Sequence, residues 1–259
     1  MNTLPHAEQF QAQLAGYVTR YTPDHWPTLL ILAGLALAGM LGVLALHGVL
    51  RYRFARPHPA GHEEKIYLYS GAVRLWHWSN ALLFLLLLLS GAINHFALAS
   101  PDDTARLVSL HALCGYLLLA DWLLFVSINA LGGNGRHYVI EPQGWKPRAM
   151  KQVRFYLYGI IRGEDHPFPA TRHCKFNPLQ QAAYLGVMYG LLPLLLLTGV
   201  LLQHPEWLPA ALSPYWLLQL HALLAVVSVF FIVGHLYLCT TGRTPTQTFR
   251  SMIDGYHRH

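Results

Sequence analysis

Apolar residues along this chain gather into five runs, and the segments between them carry nearly all of the charge. The runs are Trp26–Leu50, Val73–Leu98, Leu107–Leu131, Gln180–Gln203 and Pro214–Thr240. A helix rises 1.5 Å per residue, so about 20 apolar residues cross the roughly 30 Å hydrocarbon core. Each run therefore predicts a transmembrane helix, and the expected fold is all-α and integral to a membrane. The expected divisions are an arm at 1–25, a first span at 26–50, a linker at 51–72, and a four-span region at 73–259 with a long polar loop at 132–179.

The last run contains no Asp, Glu, Lys or Arg, yet it carries His221 and His235. Fourteen residues on a helix are about 21 Å along the axis and about 40° around it. The two imidazoles therefore share one face, at different depths. An ionisable side chain inside a span is costly and marks a functional site by default. A neutral imidazole is also a common iron ligand, and two at this interval suit two haem groups. One such histidine alone is read equally well as a buried core residue, so the decision rests on matching histidines elsewhere.

Composition agrees with the pattern: 54% of the 259 residues are hydrophobic and only 12% are charged, which points away from a soluble domain. The net charge of +6 does not indicate nucleic acid, because of where the charge lies. Of 18 Lys and Arg, five lie in 51–74, eight in 136–175 and three in 243–258. By the positive-inside rule these segments are cytoplasmic, leaving the N-terminus outside and the C-terminus in the cytoplasm. The first run is too long for a signal-peptide core and is followed directly by R-Y-R-F-A-R, so it is expected to stay as a membrane helix. Cys114, Cys174 and Cys239 form no C-x-x-C motif, which disfavours covalent haem, zinc and iron–sulfur sites. Any iron here needs histidine.

The pattern contains no internal repeat or low-complexity segment. In the first span His47 has no histidine partner at its depth and is read as structural. The second span places His77 about one turn inside the membrane with Arg74 three residues before it on the same face. Arg74 is either a snorkelling anchor or a cation for a haem propionate; Trp76 and Trp78 are read as interfacial aromatics. After the loop ALASPDDTAR, the third span holds His111, Gly115 four residues on, and Asp121. The glycine admits either a flat macrocycle or a neighbouring helix. The carboxylate is read as a hydrogen-bonded helix contact, with proton transfer as the weaker reading. In the long loop, PRAMKQVRFYLYGIIRG sets Met150, Val153, Leu157, Ile160 and Ile161 against Lys151, Arg154 and Arg162, as in a basic helix lying on a bilayer surface. Asn177-Pro178 precedes the fourth span as a cap and first helical residue would, with Gln180 beyond. Pro193 is expected to kink that span. His95 and His204 are placed at membrane interfaces.

Four histidines then have depths: His77 and His235 near the inner surface, His111 and His221 near the outer. Of the three ways to pair them, only His77 with His235 and His111 with His221 avoid stretching about 20 Å. Two imidazoles fill both axial positions of a haem iron and leave none for substrate, so such a centre moves electrons.

R-L-W-H-W at 74–78, L-H-A-L-C-G at 110–115, K-F-N-P-L-Q at 175–180, L-H-A at 220–222, G-H-L-Y-L at 234–238 and S-M-I-D-G after them resemble the cytochrome b subunits of respiratory formate dehydrogenases. The N-P-L-Q form and the preceding R-F-Y-L are more similar to relatives associated with thiosulfate reductases. The likeness covers about residues 65–256; the first span and the N-terminal arm have no counterpart in four-span members. It implies a four-helix bundle with two bis-histidine b haems and a quinone site beside the inner one. Carried over residue by residue, Asn177, Gln180 and His235 border the quinone, menaquinone or ubiquinone.

The reading is a quinone-linked dihaem cytochrome b in a bacterial inner (plasma) membrane, the anchor and electron-transfer subunit of a respiratory oxidoreductase. Its expected partners are lipid, quinone and outer-face (periplasmic) catalytic subunits of iron–sulfur, multihaem or molybdopterin type; no substrate-converting residues are expected in this chain. The alternative is a free-standing dihaem b-type oxidoreductase exchanging electrons with a small soluble molecule. A histidine-lined metal transporter would need ligands converging at one depth with carboxylates beside them, which the pattern lacks.

Overall fold

A computed structural model of the chain describes residues 28–55, 65–131, 134–171, 174–209, 212–242 and 244–258. The N-terminal arm and the start of the first expected span lie outside the described residues. The helices are α1 (Thr28–Phe54), α2 (Gly71–His95), α3 (Pro101–Leu131), α4 (Trp145–Arg154), α5 (Pro178–Gly186), α6 (Leu192–Gln203), α7 (Pro214–Cys239) and α8 (Gln247–Asp254). A π turn at Val187–Leu191 joins α5 to α6, and another at Phe155–Gly159 extends α4 into a last turn, Ile160–Arg162. Among the described residues five stretches are long and apolar enough to cross a membrane: Leu30–Phe54, Gly71–His95, Pro101–Leu131, Pro178–Gln203 and Pro214–Cys239. The protein is thus an all-α integral membrane protein. Leu35, Val43 and Leu46 of α1 are all more than half exposed, as lipid-facing residues need no protein cover.

Helix ends depart from the pattern where local chemistry outweighs hydropathy. S-P-D-D, read as loop, is the start of α3: Ser100 Oγ accepts from Asp103 N at 3.3 Å and donates to the Asp103 carboxylate at 2.7 Å. Pro101 then sits at the first helical position, where its missing N–H costs nothing. α1 runs past Leu50 to Phe54, with Arg51 and Arg53 in its last turn, where cations complement the helix dipole. α2 stops at His95, short of Leu98, and Ala97 follows in the left-handed region (φ 49°). Pro193 acts through the π turn before it. Lacking an N–H, it leaves the Tyr189 carbonyl without its normal partner, and the helix widens there instead of breaking.

The chain divides into two compact units. The first comprises Met1–Gly34, Trp78–Leu124 and Gly190–Val229; its core includes Cys114, Leu118, Leu192, Leu196 and Leu217. The second comprises Leu35–His77, Phe125–Tyr189 and Phe230–His259, and its core is mixed, with Leu68, Phe125, Phe155 and Met188 beside Gln152, Asn177 and Ser251. This unit also holds an antiparallel ribbon, which the hydropathy pattern does not predict, pairing β1 (Lys65–Tyr67) with β2 (Tyr256–Arg258) in the register Ile66 to His257. Gly255, the end of the S-M-I-D-G motif, makes the ribbon possible. It caps α8 at φ 86°, and its carbonyl accepts from Leu68 N and Tyr69 N at 3.0 and 3.2 Å. A Cβ there would meet Tyr67 and the Tyr69 carbonyl at 2.6 Å.

Candidate functional site

In the first unit His111 of α3 and His221 of α7 face each other with ring centres 6.3 Å apart. In the second, His77 of α2 and His235 of α7 face each other at 6.4 Å. These are the two pairings expected from helical spacing. An imidazole nitrogen lies about 2.0 Å from a bound metal and, with ring bonds near 1.33 Å, about 1.1 Å from the ring centre. Two imidazoles on opposite sides of one iron therefore have centres about 6.2 Å apart. Both pairs fit a six-coordinate haem iron. No group of three or more His, Cys, Asp or Glu able to hold a metal ion occurs among the described residues, and a haem needs none, since its macrocycle supplies the other four nitrogens.

The first pair also has its protons in order. Ser90 Oγ of α2 donates to the Leu86 carbonyl at 2.6 Å, and Thr198 Oγ1 of α6 donates to the Leu194 carbonyl at 2.8 Å. A hydroxyl has one hydrogen, so with that hydrogen on the helix carbonyl each oxygen accepts its other contact, from His111 Nδ1 at 2.9 Å and from His221 Nδ1 at 2.8 Å. Nδ1 thus carries the proton on both rings, and both Nε2 lone pairs are left for a metal. The next residue is glycine in each case: a Cβ on Gly91 would lie 3.2 Å from His111 Cε1, and one on Gly199 3.4 Å from His221 Cε1. Gly115, singled out for the same purpose, has nothing within 4 Å of such a Cβ. The sequence signal for this device is a repeat, contrary to the expectation of none. L-L-L-L-S-G at 86–91 and L-L-L-L-T-G at 194–199 each precede an L-H-A-L, at 110–113 and 220–223.

The second pair lies in a different setting. His235 stacks on Phe231, one turn earlier, with centres 5.8 Å apart, and its Nε2 lies 3.8 Å from Cys239 Sγ. Trp76, expected at the interface, stacks on Phe125 at 4.5 Å. From there an aromatic cluster runs through Tyr138, Phe176 and Tyr184, where burial pushes the Tyr138 phenol up to about 12. Arg74 donates from Nη1 to the Ile253 carbonyl, and its buried Nε has no hydrogen-bond partner. His47, expected to be structural, bonds through Nδ1 to the Tyr237 hydroxyl. Arg51 donates to the Thr240 carbonyl at 2.7 Å, so α1 is tied to the end of α7.

Asn177 and Gln180 form a reciprocal capping box. Asn177 Oδ1 accepts from Leu179 N and Gln180 N at 3.1 and 3.0 Å, and Gln180 Oε1 accepts from Asn177 N at 3.1 Å. The capping role is therefore real, but it uses only the oxygens. Asn177 Nδ2 donates to the Tyr156 hydroxyl at 2.9 Å. Tyr156 extends the network to Gln152, fully buried on α4, and its phenol is raised mainly by burial. The Gln152 amide reaches His166 Nε2 at 3.3 Å. The atom of Gln152 that lies there is Nε2, and Phe168 N donates to His166 Nδ1 at 3.2 Å. Sequence reading missed Gln152 and Tyr156, which project from neither the apolar nor the basic face expected of α4. Asp121 accepts from Asn80 Nδ2 at 3.1 Å and Ser79 Oγ at 3.3 Å, the helix-contact reading. His204 stacks on Trp207 at 4.3 Å and accepts from the Tyr116 hydroxyl at 2.7 Å, as suits an interfacial anchor; His95 closes α2.

No solved structure matches this chain. A curated protein of Escherichia coli (strain K12) named "Putative cytochrome YdhU" is 63% identical to it over 261 residues, covering all of both chains. A family match spans residues 68–255 and takes in all four paired histidines. The chain belongs to the prokaryotic cytochrome b561 family and is a membrane b-type cytochrome of electron transfer.

Proposed function

We propose that the protein is a dihaem, quinone-linked cytochrome b that carries electrons across a bacterial inner membrane for an oxidoreductase complex. The observation that carries this reading is the pair of histidine couples, each with the spacing of two axial imidazoles on one iron. When bound, a haem b supplies reversible one-electron transfer. The chain's own residues do the rest: His77 with His235, and His111 with His221, would hold the two groups through imidazole nitrogens and would leave no place for oxygen or substrate, and the apolar helices keep water away. Membership in the b561 family and likeness to a protein named as a cytochrome support haem binding.

The quinone site in this proposal lies where α5 begins. A quinone enters from lipid, needs hydrogen-bond donors for its carbonyl oxygens, and takes up protons when reduced. Gln180 offers amide N–H groups that the capping box does not use, Asn177 Nδ2 has a second N–H beside the one given to Tyr156, and a haem held by His235 would supply the electrons. Arg74 has its buried Nε available for a haem propionate. The clustering of basic residues in 51–74, 136–175 and 243–258 supports a cytoplasmic position for those segments, with catalytic partners of the formate dehydrogenase or thiosulfate reductase type docking on the opposite face.

Pyridine haemochrome counting on the purified protein tests the core of the proposal. Two non-covalent b haems per chain are expected; one haem or none in folded protein overturns it. Reporters fused before Met1 and after His259 are expected to appear outside and in the cytoplasm. Co-purification of a metal-cluster subunit is expected for an anchor and not for a free-standing oxidoreductase.

A further inference from the structure

We infer that Ser90 and Thr198 are positioning residues that set the reduction potential of the iron held by His111 and His221. This rests on the bis-imidazole reading above and adds to it a tuning device built from the helices themselves. Each hydroxyl gives its only hydrogen to its own helix, at 2.6 Å to Leu86 and 2.8 Å to Leu194. The helix backbone thereby orients the oxygen lone pairs, and each accepts an imidazole N–H from a different helix at 2.8 to 2.9 Å. Both oxygens are buried, Ser90 being 3% exposed and Thr198 3%, so water does not compete for the bond.

The chemical consequence has a definite sign. Accepting the Nδ1 proton raises electron density at Nε2 and makes the imidazole a stronger donor. A stronger donor stabilises the ferric over the ferrous ion, and so lowers the potential for one-electron reduction. The arrangement also disfavours the other tautomer, because an Nε2–H ring could be met at its bare Nδ1 only if the hydroxyl gave up its bond to the helix carbonyl. Ser-Gly and Thr-Gly thus act as matched halves: the hydroxyl sets the proton and the glycine clears the path of the ring.

The test is the double variant Ser90→Ala/Thr198→Ala, purified in detergent, with a haem count and an anaerobic spectroelectrochemical titration. Two haems are expected, with one of the two potentials raised by a severalfold to tenfold shift in the reduction equilibrium, up to about 59 mV for one electron. The other potential is expected to stay in place. The exchange variant Ser90→Thr/Thr198→Ser keeps both hydroxyls and is expected to behave as wild type. Two bound haems with unshifted potentials in the alanine variant overturn the inference, as does an exchange variant that shifts as far as the alanine one. Should the alanine variant lose a haem, recovery of the full count by the exchange variant supports the positioning role, and failure to recover overturns it. His111→Ala serves as the separate control: if it retains two haems, the bis-imidazole reading itself fails, whatever the hydroxyls do.

Discussion

The two histidine pairs have nearly the same spacing, 6.3 and 6.4 Å, but very different surroundings. Around His111 and His221 the contacts are local to the helices: two hydroxyls bonded to their own backbones, two glycines, and leucines. The unit containing His77 and His235 instead holds an aromatic cluster, a capping box, and a side-chain network running from Asn177 through Tyr156 and Gln152 to His166. Under the proposed function, the contrast means that one geometry serves two tasks. A site that only passes electrons needs a rigid, dry cage, whereas one that couples electrons to protons needs polar groups leading toward solvent.

Removing one ligand from each pair is the largest perturbation. His111→Ala and His77→Ala should each lower the haem count from two to one, and reduced-minus-oxidised spectra should show that different haems are lost. Loss of both haems from either variant breaks the comparison, since the two centres would then not be separable.

Next in size is the loss of quinone chemistry at the second pair alone. Asn177→Asp with Gln180→Glu keeps every oxygen that the capping box uses and removes both amide donors, and acidic groups are tolerated at a helix N-terminus. Stopped-flow reaction with a soluble quinone analogue should slow by more than tenfold, with both haems retained. Asn177→Leu with Gln180→Leu should in addition lose the cap, worth about 0.5–2 kcal/mol. Unchanged kinetics in the acidic variant would move the quinone elsewhere.

A smaller, structural effect is expected at Gly255. Alanine there meets Tyr67 and the Tyr69 carbonyl at 2.6 Å and must adopt φ 86°, a left-handed conformation that costs roughly 1–2 kcal/mol before any clash. Hydrogen exchange at Leu68 and Tyr69 should quicken, while the His111/His221 centre keeps its spectrum.

The smallest effect is on pH dependence. Burial holds the His166 imidazole below its ordinary 6.5, so the unfolded chain binds the proton more readily and stability rises with pH in that window. His166 thus contributes fully above pH 6.5 and loses its contribution as pH falls through its lower folded value. Limited proteolysis of the loop at 163–171 should accelerate below pH 6, and His166→Gln should flatten the dependence.

Five spans and four paired histidines were legible because both depend on one-dimensional quantities: run length against bilayer thickness, and residue spacing against helical rise. The cap at Asn177 was legible for the same reason, being settled within four residues. Capping at Ser100 overrode hydropathy at the start of α3, and Trp76 met Phe125 because a neighbouring helix offered a flat apolar face. Neither outcome follows from counting apolar residues.

Helix number, membrane residence and the partnering of the histidines were thus already settled by the order of residues, since backbone hydrogen bonds in lipid must close within each segment. Which hydroxyl meets which imidazole was decided only by packing. Ser90 and His111 are 21 residues apart, and Thr198 and His221 are 23, and each pair lies on separate helices whose rotation and approach depend on neighbouring side chains. The same holds for His166, Gln152, Tyr156 and Asn177. A hydrogen bond is sensitive to tenths of an ångström and to direction, and those are coordinates that only the folded arrangement of helices supplies.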